Sequence, residues 1–287
     1  MSIKSKITLI ISVLLIIFYL SIQSLLAFNL INYTSQIGIF LLLSSFSLIL
    51  SFTAFLLTVI CKAKRIKSLS KYTKNLNLCL VSLTRNEIFF RGNLEESGKE
   101  LTKVVTESIC ADRCSIWLYN VDKSSIICQQ LYVSIEKKWY KDIELFEKDY
   151  SKYFQHLDID PVIIANDAEK HPATSCFLNT YLKPLGIKSM LDVPIYYKGN
   201  IIGVICIESF KKREWLESEI NFAQLLSSIY SFGYSVSETN QLNKEILEFE
   251  KFVDTSVLVS KTDANGKITY VNDKFSKVSG WSLEEVI

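Results

Sequence analysis

The stretch that decides the fold is Lys188-Ser-Met-Leu-Asp-Val-Pro-Ile-Tyr-Tyr197, which leads through Lys198-Gly199-Asn200 into Ile201-Ile-Gly-Val-Ile-Cys-Ile-Glu208. Two apolar runs rich in β-branched residues flank a short polar break that contains a glycine. That pattern predicts an antiparallel hairpin. Upstream, Arg113-Cys-Ser-Ile-Trp-Leu-Tyr119 alternates. Cys114, Ile116 and Leu118 fall on one face, and Ser115, Trp117 and Tyr119 on the other, as in a strand. Asn120 to Ser125 is turn chemistry, and Ile126–Val133 reads as the partner strand.

Working outward, the pattern predicts a strand at 143–146, a helix near 150–157 and a strand at 162–165. A further helix at about 175–182 is expected to be closed by Pro184 and Gly186. Before the first strand, Leu94, Leu101, Val104, Val105 and Ile109 mark an amphipathic helix that ends near Cys110 and Ala111. After Arg213 a long helix carries Phe222, Leu225, Leu226, Ile229, Phe232 and Val236. The order predicts an α+β domain over residues 93–236, its first and last helices against one face of an antiparallel sheet.

The two ends differ from this middle. Ile7 to Cys61 contains no Asp, Glu, Lys, Arg or His. About 20 apolar residues cross a bilayer as a helix, so the stretch accommodates two spans, at about 7–28 and 37–61. The polar break between them runs from Asn29 to Gln36. A cleaved signal peptide would have a shorter apolar run and no second one directly behind it. Lys4 and Lys6 precede the first span, and Lys62, Lys64, Arg65 and Lys67 follow the second. Positive charge stays on the cytoplasmic side, so a hairpin in a bacterial cytoplasmic (inner) membrane is expected, with the soluble parts inside. Gln23 is a candidate for a helix–helix hydrogen bond within the first span.

Those six basic residues leave the remainder of the chain with 26 basic against 30 acidic side chains, a net of −4. A mildly acidic soluble part gives no reason to expect nucleic-acid binding. The seven cysteines include no Cys-x-x-Cys pair, and His156 and His171 are the two histidines. A zinc site needs about four spaced ligands, and none is visible. The thiols are expected to act as small buried hydrophobes.

Residues 62–92 read as a helical linker with Leu69, Tyr72, Leu76, Leu80 and Leu83 on one face. At 237–253, Leu242, Ile246, Phe249 and Val253 are spaced like a short coiled-coil seam, which suggests a parallel homodimer. Beyond it, a strand at 256–261, the turn Asp263-Ala-Asn-Gly266 and a strand at 267–271 form a hairpin with the Asn-Gly signal. A helix start follows at Asn272 or Asp273.

Several of these motifs match known families. Tyr181-Leu-Lys-Pro-Leu-Gly-Ile-Lys-Ser-Met-Leu-Asp-Val-Pro-Ile195, Gly199, Gly203-Val-Ile-Cys-Ile-Glu208, Trp215 and Glu219 together resemble a GAF domain. Cys114-Ser-Ile-Trp-Leu-Tyr119 and Ile164-Ala-Asn-Asp-Ala-Glu-Lys-His-Pro172 fit the same pattern. The resemblance is to the variety found ahead of histidine kinase or diguanylate cyclase modules in bacteria. Where that variety often has His, this chain has Ile207. From 254 on, Ser260-Lys-Thr-Asp263, Gly266-Lys-Ile-Thr-Tyr-Val-Asn272, Phe275 and Ser279-Gly-Trp-Ser282 with Glu284 and Glu285 resemble the first third of a PAS domain. The part of that fold that would hold haem or flavin is expected beyond Ile287, so the chain is expected to be a truncated piece.

These resemblances imply a membrane-anchored sensory region that relays a signal to an output absent from this chain. Neither histidine sits in a phospho-acceptor pattern, and no Gly-Gly-Asp-Glu-Phe or Glu-Ala-Leu run occurs. A histidine kinase acting on a response regulator is the favoured output, with a diguanylate cyclase as the alternative. A non-catalytic, membrane-bound interaction protein and a GAF-fold thiol reductase are the other readings weighed. The resemblance places Trp117, Tyr119, Met190, Asp192 and Cys206 on the strands nearest the family's ligand cavity, as candidates to bind an unknown small molecule. Ordinary sheet packing is the competing account of each. Cys176 is followed by Phe177 rather than the His or Tyr of bilin-attaching relatives, so no covalent chromophore is expected. The Asn-Lys-x-Asp signature of cyclic-nucleotide binders is absent.

Overall fold

The structure is a computed structural model that describes residues 18–19, 21–23 and 36–286, with side chains at 18–19, 21–23, Ser47 and from Leu50 to Val286 except at Leu283. The chain divides into two units, Met1–Ser70 and Lys71–Ile287.

Helix α1 runs Gln36–Thr84 without interruption. It therefore joins the expected second span and the expected linker in one element. Among the described residues no helix is long and apolar enough to cross a membrane. Leu50, Phe52, Phe55, Leu57, Val59 and Ile60 are all exposed. The expected first span lies outside the described residues except at 18–19 and 21–23.

In the second unit, Leu76, Leu80 and Leu83 of α1 are buried, as their spacing predicts, whereas Leu69 in the first unit stays exposed. Helix α2, Leu94–Ile109, is opened by the Asn93 side chain, which accepts the Glu96 N–H at 3.2 Å. It is closed by Cys110 in the left-handed region. The sheet follows: β1 (Arg113–Tyr119), β2 (Ser125–Val133), β3 (Lys138–Tyr140), β4 (Glu144–Phe146), β5 (Ile163–Ala165), β6 (Ser189–Tyr197) and β7 (Asn200–Ser209). Its order is β3-β2-β1-β7-β6-β5, with β4 also pairing β2, and the pairs are antiparallel. The quoted hairpin is thus β6–β7, at the centre of the domain. Strand β3 was not legible in the sequence, because Lys138, Trp139 and Tyr140 are exposed and show no apolar alternation.

Alternation sends each strand's side chains to two different cores. One face carries Cys114, Ile116, Leu191, Val193, Ile195, Ile205 and Ile207 against α2, the end of α1 and helix α4 (Glu217–Ser256). The other carries Trp117, Met190, Val204 and Cys206 under helix α3 (Ser151–Ile159) and the helical segment 175–185. The α+β expectation therefore holds, with first and last helices on one face.

Two local expectations are corrected. The segment 175–185 is not one helix closed by proline. It is a 3₁₀ turn at Ser175–Phe177, a π-helical turn at Leu178–Leu182 and an α turn at Lys183–Leu185. Pro184 sits in the first turn of the last piece, where its missing N–H costs nothing. Gly186 makes the stop, at φ 71°. In α4 the buried side is Phe222, Ala223, Leu226, Ser227 and Tyr230, while Leu225 and Phe232 are exposed. That helix continues unbroken to Ser256 and so includes the segment 237–253, where the helical pattern is expected to go on. At its start Glu219 accepts the Leu216 N–H at 2.9 Å and the Tyr72 hydroxyl at 2.8 Å, and pairs with Arg213.

Past α4, β8 (Ser260–Thr262) and β9 (Ile268–Val271) form the expected hairpin around Gly266, and helix α5 (Asp273–Ser279) is capped by Asn272. The Asn272 side chain accepts from Val259 N–H and Phe275 N–H, each at 3.0 Å, and donates to the Val257 carbonyl at 2.6 Å.

Candidate functional site

The register of three central strands assembles the site. Asp192 of β6 lies opposite Cys206 of β7, and Met190 opposite Glu208. Across the other edge of β7, Arg113 of β1 faces Glu208, Ser115 faces Cys206 and Trp117 faces Val204. Because each strand alternates, all of these point to the face under α3 and segment 175–185. Four of the five candidate residues meet there: Trp117, Met190, Asp192 and Cys206. Tyr119 lies at the end of β1, half-buried, with its ring edge-on to Phe154 at 5.9 Å, and does not line the central cavity.

The chemistry of this face is set by two buried carboxylates and one buried cation. Asp192 is fully buried, and its Oδ2 accepts the Tyr153 hydroxyl at 3.0 Å. Its Oδ1 has no hydrogen-bond partner. The Tyr153 hydroxyl is also 3.6 Å from the Cys206 sulfur. Glu208, 1% exposed, accepts the Tyr181 hydroxyl on Oε1 at 2.8 Å. Its Oε2 is 3.2 Å from Arg113 Nε, an ion pair whose two atoms lack hydrogen-bond geometry. Arg113 Nη2 donates to the Tyr181 oxygen at 3.2 Å.

Burial disfavours charge here. It pushes the Asp192 carboxyl up to about 8, with the Glu208 charge adding to the effect and the bonds from Tyr153 and Cys206 opposing it. Burial also raises Glu208, against the pull of Arg113 and Tyr181. The Cys206 thiol is driven well up, by burial and then by the two carboxylates. Burial likewise raises Cys114 and Cys128. A thiol used as a nucleophile needs the opposite environment, which speaks against reductase chemistry at these three positions.

The cavity over this face is small, about 10 Å³, lined by Trp117, Tyr153, Phe177, Tyr181, Met190, Cys206 and Glu208 with Ile126 and Leu145. That is about the room one water needs. Its roof is aromatic: Phe177 lies 4.5 Å from Tyr150 and 4.8 Å from Tyr153, centroid to centroid. Tyr181 belongs to the π-helical turn. Among the described residues no group of His, Cys, Asp and Glu could hold a metal ion.

Sequence reasoning missed Arg113, Tyr153, Tyr181 and Glu208. Parity held the signal for two of them. Arg113 and Glu208 occupy the same alternation class as Trp117 and Cys206, so each is a charge at an inward position of a central strand. The tyrosines come from separate helical segments, and no strand pattern points to them.

Residues 93–231 match the family model of the GAF domain. No curated protein matches the sequence. Among solved structures, the phycoerythrobilin-bound GAF domain of a cyanobacterial phytochrome is 18% identical at a TM-score of 0.51, over 58% of this chain and 98% of that one. The photosensory core module of Stigmatella aurantiaca phytochrome is 11% identical at a TM-score of 0.50, over 65% of this chain and 41% of that one. The GAF domain of a phosphoenolpyruvate-protein phosphotransferase from Coxiella burnetii is 19% identical at a TM-score of 0.49, over 59% and 98%. Identities this low speak to fold alone.

Proposed function

With residues 93–231 being a GAF domain, a generic sensory and signalling module, we propose that this chain is the membrane-anchored sensory region of a bacterial two-component sensor histidine kinase. The GAF domain takes up a small-molecule signal on the β1–β7–β6 face. Helix α4 passes it to a PAS module and on to an output that acts on a response regulator.

The observation that carries this reading is α4 itself. Its first half is built into the GAF core through Phe222, Leu226 and Tyr230. The same helix then continues to Ser256, with Leu242, Ile246 and Phe249 exposed along it. A shift at the core end of a continuous helix reaches its far end as a change in packing or register. Those exposed side chains supply a seam for a parallel homodimer. The uncharged stretch 37–61, with apolar side chains exposed around the helix from Leu50 onward, supports anchoring in lipid. The Asn-Gly hairpin and the Asn272 cap support the PAS reading.

Cysteine cross-linking on the chain in bacterial membranes tests the relay. Leu242→Cys, Ile246→Cys and Phe249→Cys should each form a disulfide-linked dimer, and Lys244→Cys and Glu248→Cys should not. Cross-linking that is absent or equal at all five positions overturns the seam. Release of the chain from membranes by alkaline carbonate overturns the anchor.

A further inference from the structure

On the reading that the β1–β7–β6 face is the ligand site of the GAF domain, we infer that its ligand is a small protonated amine with an apolar body. The N–H donors would be received by Asp192 Oδ1 and by Glu208 Oε1 once Tyr181 leaves it, and the body would be held by Trp117, Tyr153, Phe177 and Tyr181.

The first ground is the count of buried charge. Arg113, Asp192 and Glu208 are the charged residues buried on this face. Arg113 is already engaged by Glu208 and Tyr181. The groups that face Asp192 are Tyr153 from α3 and Cys206 and Glu208 from β7, none of them a cation. On its β5 side stands Ile163. Two carboxylates against one guanidinium leave room for one more positive charge, and without it Asp192 keeps its proton.

The second ground is unmet hydrogen bonding. Asp192 Oδ1 is buried with no hydrogen-bond donor, Glu208 Oε2 has only its ion pair with Arg113 Nε at 3.2 Å, and Glu208 lines the cavity. A buried acceptor left unpaired is destabilising, so a ligand that brings N–H groups gains where an apolar one does not. The third ground is the wall. Four aromatic rings around a carboxylate suit an organic cation, whose charge is drawn to ring faces and whose carbon skeleton is drawn out of water.

The resting cavity is too small for such a ligand, so binding requires the 175–185 segment to lift Phe177 and Tyr181. That segment contains the π-helical turn, a geometry that recurs at functional sites. Lifting it breaks the Tyr181 bond to Glu208 and frees the second acceptor for the amine. The Asp192 proton passes to bulk buffer as the ammonium arrives.

The experiment is calorimetric titration of the full chain in lipid nanodiscs, with empty nanodiscs as the reference. The probes are benzylamine, its neutral isostere benzyl alcohol and the anion benzoate. Titrations at pH 7 in two buffers of different ionisation heat read proton release directly. Benzylamine should bind with about one proton released per site. The alcohol and the anion should bind at least about ten-fold more weakly, the difference one charge-assisted hydrogen bond makes. Asp192→Asn should abolish the release and weaken benzylamine by a similar factor, and the wild-type release stands as the test if that variant misfolds. Benzyl alcohol binding as well as benzylamine overturns the amine class and leaves the ligand site standing. Benzylamine binding without proton release overturns the role of Asp192. Binding by none of the three overturns the ligand-site reading itself.

Discussion

Gly203 is the position where one added carbon should cost most. It lies in β7 opposite Leu118 of β1. A Cβ there would sit 2.0 Å from the Trp117 carbonyl oxygen, 2.9 Å from Leu118 Cδ2 and 3.0 Å from Leu118 Cα. The first of these is backbone against backbone, so no rotamer change relieves it. Ordinary contact is well over 1 Å farther out, and the two strands must part by about that much. Parting them at this end of the ladder loses about two hydrogen bonds at about 1 kcal/mol each. Overpacking adds about 1–3 kcal/mol. Gly203→Ala should therefore lose about 3–5 kcal/mol, a large share of the roughly 5–15 kcal/mol that holds a typical domain. Urea unfolding of the full chain in detergent, followed by tryptophan fluorescence, reads the loss as a lower midpoint at unchanged slope. Gly199→Ala is the control: its φ is +79° but nothing lies within 4 Å of the new carbon, so it should lose only about 1 kcal/mol of conformational strain. Equal losses in the two variants would refute the close approach of β1 and β7.

Three further outcomes follow from named side chains. The Asp192 carboxyl is raised in the folded state from 3.8 to about 8, so the folded protein holds a proton that the unfolded chain gives up. Its contribution is full below about pH 4 and is lost as pH rises to about 8; Asp192→Asn should flatten the dependence of the urea midpoint on pH across that window. Glu219→Ala removes the acceptor of the Tyr72 hydroxyl and the Leu216 N–H and one of the two acceptors of Arg213, which keeps the Ile109 carbonyl, and should cost about 1–3 kcal/mol by the same measurement. Leu226→Ala, at a fully buried position of α4, should cost about 2–5 kcal/mol, whereas its exposed neighbour Leu225→Ala should stay within about 0.5 kcal/mol.

Strand parity made much of the fold readable in advance. It placed β1, β2, β6 and β7, and it sorted Cys114 and Ile116 from Trp117 onto opposite cores. Helix faces were less well determined. Leu225, Phe232 and Leu226 all fit a helical period within one broad stripe, and the buried side is the Phe222–Leu226–Tyr230 line with Ala223 and Ser227 beside it. The segment 175–185 escaped because a proline reads locally as a terminator, while a first-turn proline is tolerated.

The candidate site shows the same division. The sequence by itself determined that Trp117, Met190, Asp192 and Cys206 would stand on central strands, since alternation is a property of the chain alone. It also determined the apolar stretch before Lys62 and the turns at Gly199 and Gly266. Only the tertiary structure decided that Tyr153 reaches Asp192, that Tyr181 and Arg113 close on Glu208, and that the Trp117 carbonyl occupies the space a side chain at 203 would need. Those contacts join segments tens of residues apart, and the central hairpin read from Lys188 to Glu208 is the platform on which they meet. Burial then fixes the charge of Asp192, because the cost of ionisation depends on what excludes water from it.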